Sequence, residues 1–406
     1  MLLNNQISLK QYFPLAIIVL GIFLRFYQLE TRTNFTADGG RDYAVVRQMI
    51  QTRKPTLLGP KASVGEFFFG PFYYYLLAPV LVIGNFDPLS GAVLTAFLDS
   101  ISLILFYFLA KKLLPKANLI ATSLYATFPL LISMVKIPLN PFVIPFFSVL
   151  FLFALHNTKY VILNTFGSGL LAGLLFQLHF ATAPMIAVGL IAMMTKKEKL
   201  LSLGSYVCGL ILGIFPMIIF DIRHQLFNST RIIQYLAGGG GGKFSDHYFI
   251  VFFPIAFLLI AKISSYFPHK LVSLVTTGII VINTWIYFQP VHNGYLMPVG
   301  WNLPGIRQTV AYIAADNPQG RFGVAAMLDG DTRAMPYRYL LEAKYSKIPL
   351  GVEEYPLAQT LYVITRESAE KIITNPVWEI SSIQPTKVTQ TWKLQNEVLL
   401  HKLEKI

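Results

Sequence analysis

Of the 406 residues, 54% are hydrophobic and only 13% charged, with a mean hydropathy of +0.55, which excludes a water-soluble globule. The formal net charge is +13, but the lysines sit mostly in short loops beside apolar runs, so membrane lipids with anionic headgroups are the expected partner rather than nucleic acid. A single cysteine, Cys208, excludes an intrachain disulfide and a cysteine-based metal site.

The chain therefore reads as mainly α, a polytopic membrane helix bundle. About 20 apolar residues cross a bilayer. That ruler places spans near Phe13–Leu29, Ser90–Ala110, Ala117–Val135, Pro141–Leu155, Val161–Phe180, Ala181–Met194, Leu201–Phe220, Tyr248–Ala261 and Leu271–Phe288, nine in all. The first is expected to remain as an uncleaved anchor, with Arg25 and Tyr27 marking an interface. After it comes a loop, Thr33–Asp42, carrying Asp38, Arg41 and Asp42, then a short surface helix over Ala44–Ile50. Phe67–Gly84 is apolar, but Pro71 and Pro79 interrupt it, so it reads as an interfacial or re-entrant helix with its tyrosines at headgroup level.

Orientation follows from lysine. Lys111, Lys112 and Lys116, then Lys159, then Lys196, Lys197 and Lys199, then Lys262 to Lys270 mark cytoplasmic loops by the positive-inside rule. The N-terminus is then cytoplasmic. The first external loop, 30–89, Lys136, His179, the Asp221-Ile222-Arg223-His224 segment and everything after Phe288 lie on the extracytoplasmic side. Gly238–Gly242 reads as a hinge or disordered loop.

Two domains follow: a membrane domain, 1–289, and a small extracytoplasmic α/β domain, 290–406. In the second, Gly305–Asp316 reads as a helix, Arg321–Leu328 and Leu361–Thr365 as strands, Ser368–Ile373 as a helix, and Trp392–Leu403 as one or two strands. Compact length and the lack of an organelle signal favour a prokaryotic plasma membrane, crossed many times.

The external side thus gathers Asp38, Arg41, Asp42, Lys61, His179, Arg223 and His224. A carboxylate can take a proton from an attacking hydroxyl or amine, while basic groups neutralise a departing phosphate. That chemistry suits transfer from a phosphate-activated lipid, for whose tail the aromatic stretch Phe67–Leu77 offers a lining.

Asp38-Gly39-Gly40-Arg41 after a first span, then a surface helix, then Leu58-Gly59-Pro60-Lys61-Ala62-Ser63 before Gly70-Pro71-Phe72-Tyr73-Tyr74-Tyr75, resembles the GT-C glycosyltransferases. Within them it looks most like the protein O-mannosyltransferase-like branch that includes the aminoarabinose transferases. The resemblance covers the membrane portion, most specifically Asp38–Leu77. It implies transfer of one sugar from a polyprenyl-phosphate donor to an envelope glycan, lipid or protein acceptor, with inversion and without a nucleotide sugar. Asp38 then maps to the base or acceptor-orienting group and Lys61 to the contact with the lipid phosphate. Many relatives carry a second acid directly after the first; here that position is Gly39, which leaves Asp42 as the other catalytic candidate. Arg41, Arg223 and His224 join Lys61 as candidates for the phosphate, and His179, Tyr73 and Tyr74 as candidates for substrate. No cofactor is required, although the aspartates could hold a divalent metal.

Plainer readings stand beside these. Asp38 or Asp42 could cap a helix beginning near Tyr43, and Arg41 could pair with either. Lys61 could be an ordinary interfacial lysine, His179 a helix-end histidine bonded to backbone, and Arg223 and His224 local partners of Asp221. The Asp329-Gly330-Asp331-Thr332-Arg333 segment could bind a sugar or acceptor, or be a tight turn, the preferred reading. The alternative function is a secondary transporter, supported by Asp99 inside a span and by helices broken near Pro184 and Pro216. A noncatalytic membrane scaffold is a third.

Overall fold

All nine apolar segments are helical in the computed structural model, but most of them are not single straight helices. The structure describes residues 12–157, 160–239, 245–289, 298, 300–318, 320–328 and 331–406. Lys159, most of the Gly238–Gly242 run, and Asp329 and Gly330 lie outside the described residues.

Proline sets the breaks. Helices restart with proline in their first turn at Pro129, Pro145, Pro184, Pro216 and Pro254, because proline has no N–H to continue the preceding helix's bonds while its fixed φ suits a first turn. Phe128, extended at ψ 112°, divides Asn118–Thr127 from Pro129–Met134. The helices Lys199–Gly213 and Phe215–Arg223 meet at a 63° bend. Among the described residues, four helices are long and apolar enough to cross a membrane: Leu89–Leu113, Val161–Leu178, Asp246–Ser264 and His269–Phe288. The bent pair would make a fifth. Phe13–Phe26, Phe72–Ile83, Asn140–His156 and Phe180–Met194 are shorter apolar helices.

The chain forms two compact units. One comprises Met1–Tyr27, Lys54–Leu77 and Val93–His292; the other comprises Gln28–Arg53, Ala78–Ala92 and Asn293–Ile406.

In the first unit, the helices Val161–Leu178 and Lys199–Gly213 touch backbone to backbone. A Cβ on Gly169 would lie 1.9 Å from the Tyr206 carbonyl oxygen, and one on Gly209 would lie 2.1 Å from that of Phe166. Gly169 and Gly173, like Gly209 and Gly213, stand four residues apart, the spacing that lets membrane helices approach closely. The same unit buries an ion pair. Arg25, read from sequence as an interface marker, is fully buried, because its charge meets Asp99 at 2.7 Å. Its remaining N–H groups donate to the carbonyls of Gly21, Tyr125 and Ala126. Tyr125 donates to the other Asp99 oxygen at 2.7 Å and also meets Ser102. Lys136 is buried as well, donating to the Tyr27 carbonyl and the Tyr287 hydroxyl, each at 2.6 Å.

The second unit holds a four-stranded sheet: β1 (Phe322–Ala326), β2 (Thr360–Thr365), β3 (Thr386–Lys393) and β4 (Leu399–Lys405), in the order β1-β2-β4-β3. The pair β1 and β2 is parallel and the others antiparallel. A parallel pair needs a long crossover, and the helix Met335–Tyr345, which the sequence reading passes over, lies in it. Ala325, Tyr355, Leu361, Val363, Ile372, Ile380 and Leu403 form the core. Residues from before the second span belong to this unit. Phe35, Tyr43 and Tyr339 pack edge to face with ring centroids 5.0–5.8 Å apart, Arg47 pairs with Glu342, and Arg307 pairs with Glu30 and Asp87.

Breaking a buried ion pair on one side strands the other charge, at a cost of about 3–5 kcal/mol. Asp99→Leu should therefore lower the melting temperature in detergent sharply, and Arg25→Met with Asp99→Leu should recover most of the loss.

Candidate functional site

Helix Ala37–Thr52 begins seven residues before the expected Ala44, so that Asp38, Arg41 and Asp42 stand on its first turns rather than in a loop. Two glycines argue against helix in isolation. What starts the helix is Thr36, whose hydroxyl accepts the Gly39 N–H at 3.2 Å; neither aspartate is the cap. Gly40 is helical for a tertiary reason. A Cβ there would fall 2.4 Å from the Met335 carbonyl carbon and 2.6 Å from Pro336 N, so only glycine lets that backbone pass.

The carboxylates of this helix differ. Asp38 is 55% exposed, whereas Asp42 is 0% exposed. Arg41 joins them, with Nη1 2.7 Å from Asp38 Oδ1 and Nη2 2.9 Å from Asp42 Oδ1. Asp331, in the segment that leads to Met335, belongs to the Asp329–Arg333 stretch expected to be a turn, and Thr332–Arg333 is a turn. Burial raises the Asp331 carboxyl above its ordinary value; hydrogen bonding and charge from Arg333 oppose this, and the charge of Asp38 adds to it.

In the first unit, Lys61 sits on a small hairpin. Backbone bonds join Gly59 to Phe69 and Ala62 to Phe67, and Lys61 bridges Phe68. Ala62, Phe67 and Phe69 turn inward against Phe180, Ile232 and Tyr235. The Lys61 ammonium is half exposed and 4.0 Å from Glu66. Asn228 clamps the hairpin, accepting the Phe68 N–H at 2.7 Å and donating to its carbonyl at 3.0 Å. Asn228 is in turn oriented by Asp221, which accepts its N–H at 2.8 Å and takes the Ser229 N–H and hydroxyl. The expected local pairing of Asp221 with Arg223 and His224 is thus replaced by capping of the next helix. Arg223 and His224 are exposed, His224 stacked on Phe220 at 4.3 Å.

His179 packs on the same hairpin, 4.8 Å from the Phe69 ring. Its Nδ1 accepts the Ala181 N–H at 3.1 Å, the backbone bond expected of a helix-end histidine. Tyr248 lies 4.9 Å and His247 5.6 Å from its ring; His247 carried no motif by which sequence could find it. Gln177 ties the end of this hairpin down, its carbonyl accepting Gly70 N–H at 2.9 Å and its side chain accepting Phe72 N–H at 3.2 Å. Tyr73 and Tyr74 are buried on helix Phe72–Ile83. Among the described residues, no three His, Cys, Asp or Glu side chains form a cluster suited to a metal ion.

No protein-family model and no curated protein sequence matches the chain. Among solved structures it is similar to ArnT from Cupriavidus metallidurans in the apo state, with a TM-score of 0.63 over 97% of this chain and 98% of that one, at 8% identity. Two further matches are looser. They are the archaeal oligosaccharyltransferase AglB from Archaeoglobus fulgidus, in complex with an inhibitory peptide and a dolichol-phosphate (TM-score 0.48, 11% identity, 87% of this chain and 69% of that one), and ArnT bound to undecaprenyl phosphate (0.46, 12%, 97% and 98%). The likeness to apo ArnT is one of fold, and the fold is GT-C.

The raised carboxyl of Asp331 gives a signed expectation. A carboxyl whose folded value is raised binds its proton more tightly folded than unfolded, so stability falls as pH rises through that window, and the penalty is complete above it. Asp331→Asn should melt higher than wild type at pH 7, and the difference should disappear as pH drops below the ordinary carboxylate value of 3.8.

Proposed function

We propose that this chain is an integral-membrane glycosyltransferase that moves one sugar from a polyprenyl-phosphate donor to an acceptor on the extracytoplasmic face. The observation that carries the reading is a GT-C fold spanning 97% of the chain, on which a half-exposed carboxylate, Asp38, stands in the first turn of a helix between its own Arg41 and the Asp331 turn.

The reaction is a single displacement. An acceptor oxygen or nitrogen attacks the anomeric carbon, the bond from that carbon to the phosphate oxygen breaks, and the pair leaves with the polyprenyl phosphate. The acceptor's proton passes to Asp38. Attack opposite the leaving group inverts the anomeric centre. Lys61, held half exposed on its hairpin, neutralises phosphate charge, and Arg223 and His224, exposed just past a helix end, are further candidates for that role. Such charge stabilisation supplies much of the rate of a group transfer. A tail of this kind needs an apolar, laterally open route, and Phe67–Leu77 is proposed as its lining.

The transporter reading loses its main support. It leaned on Asp99 as an intramembrane acid, and Asp99 is paired with Arg25 and bonded by Tyr125 inside the bundle, a structural arrangement that leaves that acid no need of a transported ion.

Removal of a general base costs about 10²–10⁴-fold in rate. With protein in membranes and radiolabelled polyprenyl-phosphate sugars, Asp38→Asn should lose at least a hundredfold of the label that wild type transfers to envelope fractions. Solute uptake into vesicles with no transfer to any acceptor would sink the glycosyltransferase reading.

A further inference from the structure

Sequence places Arg41 with the groups that meet the donor phosphate; its geometry points elsewhere. The guanidinium reaches back one turn to Asp38, Nη1 to Oδ1 at 2.7 Å, and across to Asp42, with Nη2 at 2.9 Å and Nε at 3.0 Å from Oδ1. Asp42 has no exposed surface, so neither an acceptor nor a lipid phosphate reaches it. A buried carboxylate demands a counter-charge, and the adjacent guanidinium supplies it through two donors on one oxygen. Those two bonds fix the plane of the guanidinium and leave its remaining nitrogen facing the exposed Asp38.

The turn is held from its other side too. The Met335–Pro336 backbone occupies the space over Gly40, and the Asp331 that leads into it adds negative charge near Asp38. A second acid close by makes the cation at Arg41 more necessary for a fixed Asp38, since like charges repel.

We infer that Asp42 and Arg41 are a positioning pair for Asp38: the buried Asp42 carboxylate fixes the Arg41 guanidinium, and the guanidinium holds the Asp38 carboxylate in the orientation in which it takes the acceptor's proton. This rests on the glycosyltransferase reading with Asp38 as base. It takes Asp42 out of the catalytic role and Arg41 off the phosphate. Arg41→Lys keeps a charge but loses the planar fork, so it does not replace arginine here.

The test uses the full chain in nanodiscs with two readouts, the Kd for undecaprenyl phosphate and the transfer kinetics. Arg41→Lys and Asp42→Asn should each lower kcat at least tenfold while leaving donor KM and the Kd for undecaprenyl phosphate within twofold of wild type. Arg41→Gln with Asp42→Asn removes both charges, so no uncompensated charge stays buried and the protein should fold, as its melting temperature will show. Its kcat should be no lower than that of the worse of Arg41→Gln and Asp42→Asn measured singly, because members of one network do not add. A tenfold weaker Kd for undecaprenyl phosphate in Arg41→Lys with kcat retained would return Arg41 to the phosphate and overturn the inference, as would additive losses in the double variant. Wild type that binds the lipid phosphate but transfers no sugar would instead overturn the underlying reading, and the positioning role with it.

Discussion

A carboxylate sealed from water has to be neutralised, and around Asp42 that one requirement organises the first turns of the Ala37–Thr52 helix. Arg41 meets Asp42 and, with the same planar group, Asp38. The side chains that follow are apolar or aromatic: Tyr43 is buried against Phe35 and Tyr339, and Val46 is buried one turn on. The helix is thereby anchored by its inner face while its outer face keeps a single carboxylate accessible. A base of use in catalysis needs both properties, access on one side and immobility on the other.

The membrane portion solves a related problem with different parts. Asp99 and Arg25 could not lie singly among apolar helices, and together with Tyr125 and three backbone carbonyls they form a closed set. Where no charge is involved, close packing comes from small residues, as at Gly169 and Gly209. Helices restarted at prolines need their interrupted backbone bonds met by neighbours, as when the Gln177 side chain donates to the Gly213 carbonyl at the bend.

Much of this was legible in the sequence, and the parts that were not share a cause. The apolar segments and the strand character near the end of the chain follow from hydropathy and alternation, which are local, although the strand Thr386–Lys393 begins six residues before the expected Trp392. The prolines that break the helices are also written in the chain, although a length ruler passes over them. The start of the Ala37–Thr52 helix was misread because Asp-Gly-Gly looks like a loop; the hydroxyl of Thr36 and the space over Gly40 decide otherwise, and the second is supplied by residues almost three hundred positions away. Arg25 looked like an interface residue because its partner, Asp99, is distant in sequence. The helix Met335–Tyr345 was missed since it opens on a proline and mixes polar with apolar residues, and its sense lies in the rings of Phe35 and Tyr43 that it covers. Among the candidate site residues, Asp38 stands out in sequence by its charge and place, whereas Asp331 and His247 acquire meaning only through what they face.

Fold and chemistry bear on the proposed function in different ways: the likeness to apo ArnT is one of fold, and the proposed chemistry rests on the accessible Asp38 carboxylate on its fixed helix. The central claim is a direct displacement at the anomeric carbon, and the stereochemistry of the product tests it most directly. Purified chain, given a polyprenyl-phosphate sugar of known anomeric configuration and an acceptor that takes its label, should release polyprenyl phosphate and yield a glycoside of the opposite configuration by NMR. A product with the donor's configuration retained would contradict the account, since it would require a covalent intermediate rather than attack by an acceptor deprotonated at Asp38.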